Sequence, residues 1–220
     1  MARDENQTGN WDRFWSNSGK SEKLSWSKKR LIELLSPLLH GRKSVLDAGC
    51  GSGFFSKFFS EMNLEVYSVD NSDKALELCR KTAGDKVRLI KLDLITTPLH
   101  SSLNTRFDLI FTDGLLEHFS PPLQQKILKN FRDSLSSNGV IVTVVPNKFS
   151  LWQIIRPFFM PGIIETPFTL RQLKLLHTKA GFSIIKAGGL NVFPVAFSPE
   201  KLFGKQLGML LYTIAKRDCP

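Results

Sequence analysis

The most chemically specific run in the chain is Val45-Leu46-Asp47-Ala48-Gly49-Cys50-Gly51-Ser52-Gly53-Phe54-Phe55, an apolar segment that enters three alternate glycines and leaves through aromatic residues. Glycine tolerates positive φ and lets a ligand press against bare backbone, so the run predicts a strand, a ligand-cradling turn and a helix. A dinucleotide fingerprint would set a small residue where this chain has Phe54, and its pyrophosphate would disfavour the acid Asp47. An ammonium group on the ligand would favour that acid. Asp70 closes the next apolar run, 21 residues after Gly49, and is followed by Asn71 and Ser72; an acid there can accept two hydrogen bonds from ribose hydroxyls. Asp93, in Ile90-Lys91-Leu92-Asp93-Leu94, ends a third run and is placed to accept from an adenine amino group. Three carboxylates at successive strand ends beside a glycine turn describe a nucleoside with a positively charged amino-acid tail.

A fourth run leads into Thr112-Asp113-Gly114-Leu115-Leu116-Glu117-His118-Phe119. His118 is the candidate general base, because an imidazole titrating near ~6.5 can take a proton from an acceptor hydroxyl or amine; the alternative is a histidine simply held by Glu117. His40, His100 and His177 fall at a helix end, in a loop and on an exposed-looking helix, and receive no role.

These residues need rigid elements behind them, and the chain supplies an alternation of short apolar runs with amphipathic segments, the α/β signature. Strands are expected at 44–48, 65–69, 87–92, 107–112 and 140–145, several without clean alternation, as strands buried on both faces should be. Helices are expected at 24–39, 54–62, 74–82 and 123–135, with Asn138-Gly139 as a stop and turn before the fifth strand. Beyond Pro146 the rhythm changes. Residues 147–168 hold Trp152, Phe158, Phe159 and three prolines, too interrupted for one long helix and too apolar for a solvated loop, which predicts an insertion that covers something. A helix at 169–180 and strands at 182–187 and 208–216 follow, the two strands joined by a long connection over 188–206.

The glycine turn, the acids Asp70 and Asp93 and the Glu117-His118 segment together resemble the class I S-adenosylmethionine-dependent methyltransferases of the small-molecule type, closely over roughly residues 40–146 and in outline beyond. The resemblance implies a doubly wound, Rossmann-like, mostly parallel sheet with helices on both faces and an antiparallel last strand. It implies one domain over 1–220, made of an N-terminal helical cap (1–43), a cofactor-binding core (44–146), a lid-like helical and aromatic insertion after the fifth strand (147–168) and a C-terminal helix with strands (169–220). S-adenosylmethionine is then the cofactor and S-adenosylhomocysteine the product. Carried onto this chain, the methionine portion meets Gly49, Gly51 and Gly53 with Asp47, the ribose meets Asp70 beside Asn71, and adenine meets Asp93 and the backbone of Leu94. The segment from Asp113 to His118 faces the methionine end and the acceptor. No metal is expected, since metal-assisted catechol methyltransferases need a carboxylate cluster after the fourth strand and Asp113 alone is not one.

Methyl transfer from a sulfonium is an in-line displacement, so alignment can supply most of the rate and a water-excluding aromatic lid would help. Trp11, Phe14, Trp15, Trp152, Phe158 and Phe159 are lid candidates, with ordinary core packing as the alternative. For the acceptor, composition gives a direction. Lys and Arg total 30 against 20 Asp and Glu, a net charge of +10, but the excess is uneven. Residues 1–43 carry 9 basic and 5 acidic groups, 44–118 carry 8 and 11, and 119–220 carry 13 and 4. The basic last hundred residues bear on the acceptor or a surface it visits. The aromatic insertion favours a small, partly apolar acceptor, and Ile154–Pro161 with nearby basic groups would suit an anionic membrane surface; a weak resemblance to quinone-biosynthesis O-methyltransferases, through Glu117-His118 and the layout, implies O-methylation. A nucleic-acid acceptor, as in an RNA or tRNA methyltransferase, would use the basic groups on phosphates, but no Asn-Pro-Pro-Tyr-like tetrad or appended RNA-binding segment is present. A non-catalytic cofactor-binding partner subunit would have lost the glycine turn or the ribose acid, and both are here. Cys50, Cys79 and Cys219 form no metal or disulfide pattern, the first ten residues lack the apolar core of a signal peptide, and no run approaches the ~20 apolar residues of a membrane span. These features fit a cytoplasmic protein that visits a membrane, if at all, from the surface.

Overall fold

In the computed structural model, residues 12, 15–16, 24–154, 165–193, 195 and 198–218 are described. The five apolar runs form β1 (Ser44–Ala48), β2 (Glu65–Asp70), β3 (Val87–Lys91), β4 (Phe107–Asp113) and β5 (Leu135–Pro146), and β6 (Phe182–Leu190) and β7 (Leu210–Arg217) complete the sheet. The seven strands lie in the order β3-β2-β1-β4-β5-β7-β6. Pairings from β3 to β5 are parallel, while β7 runs antiparallel to both of its neighbours. This is the doubly wound, mostly parallel arrangement expected, with the antiparallel strand last in sequence. β1 is buried along its whole length because β2 and β4 flank it and helices cover both faces, which is why its residues read as a continuous apolar run.

Seven helices flank the sheet among the described residues: α1 (Trp26–Leu39), α2 (Phe54–Glu61), α3 (Asp73–Ala83), α4 (Leu99–Leu103), α5 (Pro121–Ser134), α6 (Leu170–Lys179) and α7 (Glu200–Leu207). Successive strand residues point to opposite faces, and each face has its own core. On one, Leu31 and Leu35 of α1 and Phe55 and Phe59 of α2 pack on Val45, Leu109, Phe111 and Val142. On the other, Ile127, Leu128 and Phe131 of α5 and Leu173 and Leu176 of α6 pack on Leu46, Ile110, Ile141 and Ala215. Asp47 shares the β1 face of Val45, so its carboxylate emerges on the α2 side just before the chain turns.

Three sequence expectations change. The helix stop at Asn138-Gly139 does not occur: α5 ends at Ser134, β5 starts at once, and the dipeptide lies inside β5 where the register against β4 shifts between Phe107 and Leu109. Gly139 is there for space, since a Cβ would sit 2.7 Å from the Phe107 carbonyl oxygen. The connection 188–206 contains a helix, α7, and β6 runs on to Leu190. Its glycines signal turns in the sequence but serve close packing in the fold: a Cβ on Gly189 would fall 1.8 Å from the Gly204 carbonyl oxygen. His177, expected on an exposed face, is fully buried, with Nε2 3.0 Å from the Thr143 hydroxyl and Nδ1 3.0 Å from the Leu173 carbonyl. Burial pushes its pKa down to about 4.

Candidate functional site

At the C-terminal ends of β1, β2 and β4 a cavity of about 380 Å³ opens, within the range usual for small-ligand sites, about 300–1,000 Å³. Asp47, Gly49, Gly51, Asp70, Asn71, Asp93, Leu94, Asp113 and His118 all line it. The glycine turn is pinned to the end of β2, because the Gly49 and Cys50 N–H groups both donate to the Val69 carbonyl, at 2.8 and 3.1 Å. Gly51 and Gly53 adopt φ of +51° and +82°, the left-handed region that a turn this tight requires. Asp70 completes the turn from the neighbouring strand: one carboxylate oxygen accepts the Gly51 N–H at 3.0 Å and the other the Ser72 N–H at 2.9 Å. The carboxylate expected at the ribose therefore holds the glycine turn in shape.

Asp47 accepts the Ser56 hydroxyl at 2.6 Å, and Ser68 donates to Ser56 at 2.8 Å behind it. The carboxyl is only 3% exposed, and desolvation lifts its pKa from 3.8 to about 7, with Asp113 and Asp70 adding repulsion and the Ser56 bond opposing. Asp113 is lifted to about 6 by desolvation, against the pull of Lys28. Burial also raises Asp70, against its backbone N–H donors. The cavity thus stores unfavourable negative charge that a cationic ligand would relieve. Asp93 organises its own loop: its carboxylate accepts the Ile95 N–H and the Thr96 hydroxyl, each at 2.8 Å, while lining the cavity. Cys50 also lines it, with its thiol pKa pushed well up by Cys79, burial and the nearby acids, so it stands as an unionised wall.

Glu117 and His118 sit in a single 3₁₀ turn, Leu116–His118, between β4 and α5. Gln124, in the first turns of α5, fixes that turn by donating to the carbonyls of Leu116 and Phe119 at 3.0 and 2.9 Å. The His118 Nε2 lies 4.0 Å from Glu117 Oε1, and both side chains are largely buried. The fold adds a residue the sequence did not connect to them: Thr166 N–H donates to the Glu117 carbonyl at 2.8 Å, and beside it Glu165 brings a carboxylate so that ligand atoms of Glu117, His118 and Glu165 lie within 4.8 Å of one another. Two carboxylates and an imidazole have the composition of a divalent-cation site, so the expectation of no metal, argued from Asp113 alone, left out the group that could hold one.

Gly53 does not line the cavity. It caps α2, and a Cβ there would meet Cys79 Cα at 2.7 Å, so its service is the close approach of α2 and α3. Of the lid candidates, Trp15 lies over the turn: a Cβ on Gly51 would fall 2.7 Å from its indole ring. Trp152 is partly buried and does not line the cavity. Trp11, Phe14, Phe158 and Phe159 lie outside the described residues. Sequence reasoning missed Lys28, which lines the cavity with Nζ 3.9 Å from the Phe54 ring centroid. Ser25 caps α1 by accepting the Lys28 N–H at 3.3 Å, and this fixes the helix start from which Lys28 projects.

A methyltransferase-domain family profile matches residues 45–139. Among curated proteins, the chain is similar to the mitochondrial ubiquinone biosynthesis O-methyltransferase of Schizosaccharomyces pombe, 28% identical over 59% of this chain and 49% of that protein. It is also similar to the tRNA U34 carboxymethyltransferase of Shewanella sediminis, 32% identical over 53% of this chain and 35% of that one. The chain spans about half the length of the first of these relatives and about a third of the second. Among solved structures, a methyltransferase from Anabaena variabilis superposes with a TM-score of 0.72 at 18% identity, covering 99% of this chain and 97% of that one. The Synechocystis magnesium protoporphyrin IX methyltransferase with bound S-adenosylhomocysteine gives 0.66 at 16% identity, covering 96% and 95%. Residues 45–139 thus match a methyltransferase-domain profile, and the chain shares the fold of solved S-adenosylmethionine-dependent methyltransferases.

Proposed function

We propose that the chain transfers a methyl group from S-adenosylmethionine to a small, partly apolar acceptor, with a hydroxyl as the favoured methylated group. The observation that carries this is the convergence of Asp47, Gly49, Gly51, Asp70, Asp93, Asp113 and His118 on one cavity. The cavity fits the cofactor: Gly51 leaves a cradle that a Cβ would fill against Trp15, and the strained acids call for a cation. Bound there, S-adenosylmethionine supplies an electrophilic methyl group on a sulfonium. The chain's residues do the rest. Asp70 accepts from the ribose hydroxyls, Asp93 and Leu94 flank the adenine, and Asp47 with Asp113 balances the ammonium and sulfonium charge. Lys28, the one Lys or Arg among the described lining residues, meets the amino-acid carboxylate. Trp15 shields the turn from water, and alignment of the acceptor behind the methyl supplies rate. His118 takes the acceptor's proton, next to apolar walls from Leu115, Phe119 and Leu123 that suit an aromatic or alkyl body.

Similarity to the ubiquinone biosynthesis O-methyltransferases supports O-methylation of a small acceptor; similarity to the tRNA U34 carboxymethyltransferases supports an RNA acceptor as the second reading. A cofactor-binding partner without activity remains the third. Binding is tested first: S-adenosylhomocysteine should raise the melting temperature and NAD should not. No shift at saturating S-adenosylhomocysteine would sink the assignment. Asp70→Ala should weaken S-adenosylhomocysteine about a hundredfold, the loss of two charge-assisted hydrogen bonds, whereas His118→Ala should change it less than about threefold while lowering turnover. Labelled cofactor offered with phenols, quinone precursors, amines, lipids and tRNA then separates the readings; label in tRNA alone would overturn the small-acceptor one.

A further inference from the structure

Large apolar side chains are exposed along one edge of the molecule in a way that neither core explains. On α7, Leu202 is 74% exposed, and Phe203 and Leu207 are also open. After β5, Phe149, Leu151 and Ile154 are 61%, 68% and 71% exposed. The two groups sit on neighbouring segments, because Asn147 Nδ2 donates to the carbonyls of Gln206 at 2.9 Å and Gly208 at 2.8 Å and so ties the start of the post-β5 segment to the end of α7. Phe193, whose carbonyl accepts from Arg30 of α1 at 3.0 Å, and Trp26 at the start of α1 are exposed as well. Soluble monomers rarely expose contiguous apolar patches of this kind without a partner.

The charge around the patch selects the partner. Lys148, Lys201 and Lys205 are exposed beside it and make no ion pair among the described residues. In the described parts of 147–154 and 198–209 the one carboxylate is Glu200, and it is already engaged by the Arg30 guanidinium at 2.8 Å. Exposed apolar side chains with exposed lysines beside them match an anionic lipid interface, where the apolar groups enter the acyl boundary and the ammonium groups meet phosphates. The segments that follow β5 and β6 lie at the ends of those strands, and the one after β5 leaves from the C-terminal edge of the parallel strands, the edge at which the cofactor cavity opens. No helix among the described residues is long and apolar enough to cross a membrane.

We propose that this edge, built on α7 and the segment after β5, is the surface by which the chain rests on an anionic lipid bilayer, facing its cavity toward an acceptor dissolved there. The placement deepens the reading of a partly apolar acceptor and rests on it for its purpose, but its test is separate. Sedimentation with vesicles of phosphatidylglycerol mixed into phosphatidylcholine should carry the chain down at low salt, and vesicles of phosphatidylcholine alone should not. The double variant Leu202→Glu with Phe203→Glu should lower vesicle partitioning at least about tenfold. The triple variant Lys148→Glu, Lys201→Glu and Lys205→Glu, which changes only exposed side chains, should lower it on the order of a hundredfold. Both should keep the wild-type melting shift with S-adenosylhomocysteine, so loss of that shift in the wild type would speak against the methyltransferase reading and not against this surface. Equal partitioning to both vesicle types, or unchanged partitioning in both variants, overturns the proposal. A concentration-dependent dimer in light scattering that the Leu202 and Phe203 changes abolish would also overturn it, by assigning the patch to a second copy of the chain.

Discussion

Replacing Asp47 with asparagine should stabilise the empty protein while weakening its hold on the cofactor. The carboxyl has pKa about 7 in the folded chain against 3.8 in its ordinary state, chiefly from desolvation. That displacement of roughly three pH units corresponds to about 4 kcal/mol. The folded chain holds this proton more tightly than the unfolded chain does. The contribution is therefore fully favourable below about 3.8, is lost as pH rises, and has become a full cost above about 7. Asparagine is nearly isosteric, can still accept the Ser56 hydroxyl now held at 2.6 Å, and carries no charge to bury. At about pH 8 the variant should gain roughly 2–4 kcal/mol, seen as about 5–10 °C in thermal melts of a chain this size, and the two proteins should converge near pH 4. His177 shapes the variant's remaining pH response. Its folded pKa of about 4 lies below the ordinary 6.5, so it contributes stability present above about 6.5 and lost as pH falls toward 4, in both proteins. Calorimetric titration with S-adenosylhomocysteine at the same pH values should show the opposite order, with the variant weaker by about tenfold or more near neutrality, because the ligand ammonium loses its carboxylate. Equal or lower stability of the variant at pH 8 would refute the argument that the charge of Asp47 is a stored cost.

The two substitutions in the glycine turn should part in the same way. Gly53→Ala places a methyl 2.7 Å from Cys79 Cα at φ +82°, and the obstacle is backbone, so about 3 kcal/mol or more of stability should go, read in urea denaturation. Gly51→Ala meets the movable Trp15 ring, so stability should fall by only about 1–2 kcal/mol while S-adenosylhomocysteine affinity drops at least tenfold; similar losses of stability in both would contradict the geometry. Arg30→Met strips Glu200 of its partner and leaves the Asn191 side chain and the carbonyls of Phe193 and Val195 without their donor, for about 2–4 kcal/mol in thermal melts. A loss below about 1 kcal/mol would mean that the β6–α7 connection is anchored elsewhere.

Asp47, Gly49, Gly51 and Asp70 are legible in the sequence because each combines a residue type with a backbone demand that little else satisfies. Lys28, Lys29 and Arg30 show the limit. They are three consecutive cations in the first turns of an amphipathic helix, indistinguishable as a string, yet helical rotation sends Lys28 to the cavity, Lys29 over the Trp26 ring and Arg30 into Glu200. Gly53 reads correctly as part of the turn, but its reason is contact with α3 and not with a ligand. α7 is hidden because Gly204 and Gly208 look like loop punctuation, when they are what lets the helix and its following turn approach β6. Glu165 cannot be joined to His118 from a string in which 46 residues separate them; they come together in the fold, where the Thr166 N–H donates to the Glu117 carbonyl.

The acidity of the cavity bears on which step it serves. Asp47, Asp70, Asp93 and Asp113 face it with Lys28 as counter-charge, and two of the carboxyls are held at about 7 and about 6 by their surroundings. A sulfonium is most positive before transfer and has lost its charge after it, so nearby carboxylates favour the reactant over the transition state. On the proposed function, their contribution would belong to capture of the cationic cofactor and to preference for it over the neutral thioether product. It cannot be the source of the rate. On the same proposal, rate would come from what holds the acceptor in line, for which the turn that Gln124 pins at His118 and the walls of Leu115 and Phe119 are the candidates. The net charge of +10 therefore separates into two roles. On the proposed function, carboxylates in the mildly acidic middle of the chain would bind the cation, while the basic last hundred residues, with Lys201 and Lys205 on α7, would attract whatever carries the acceptor.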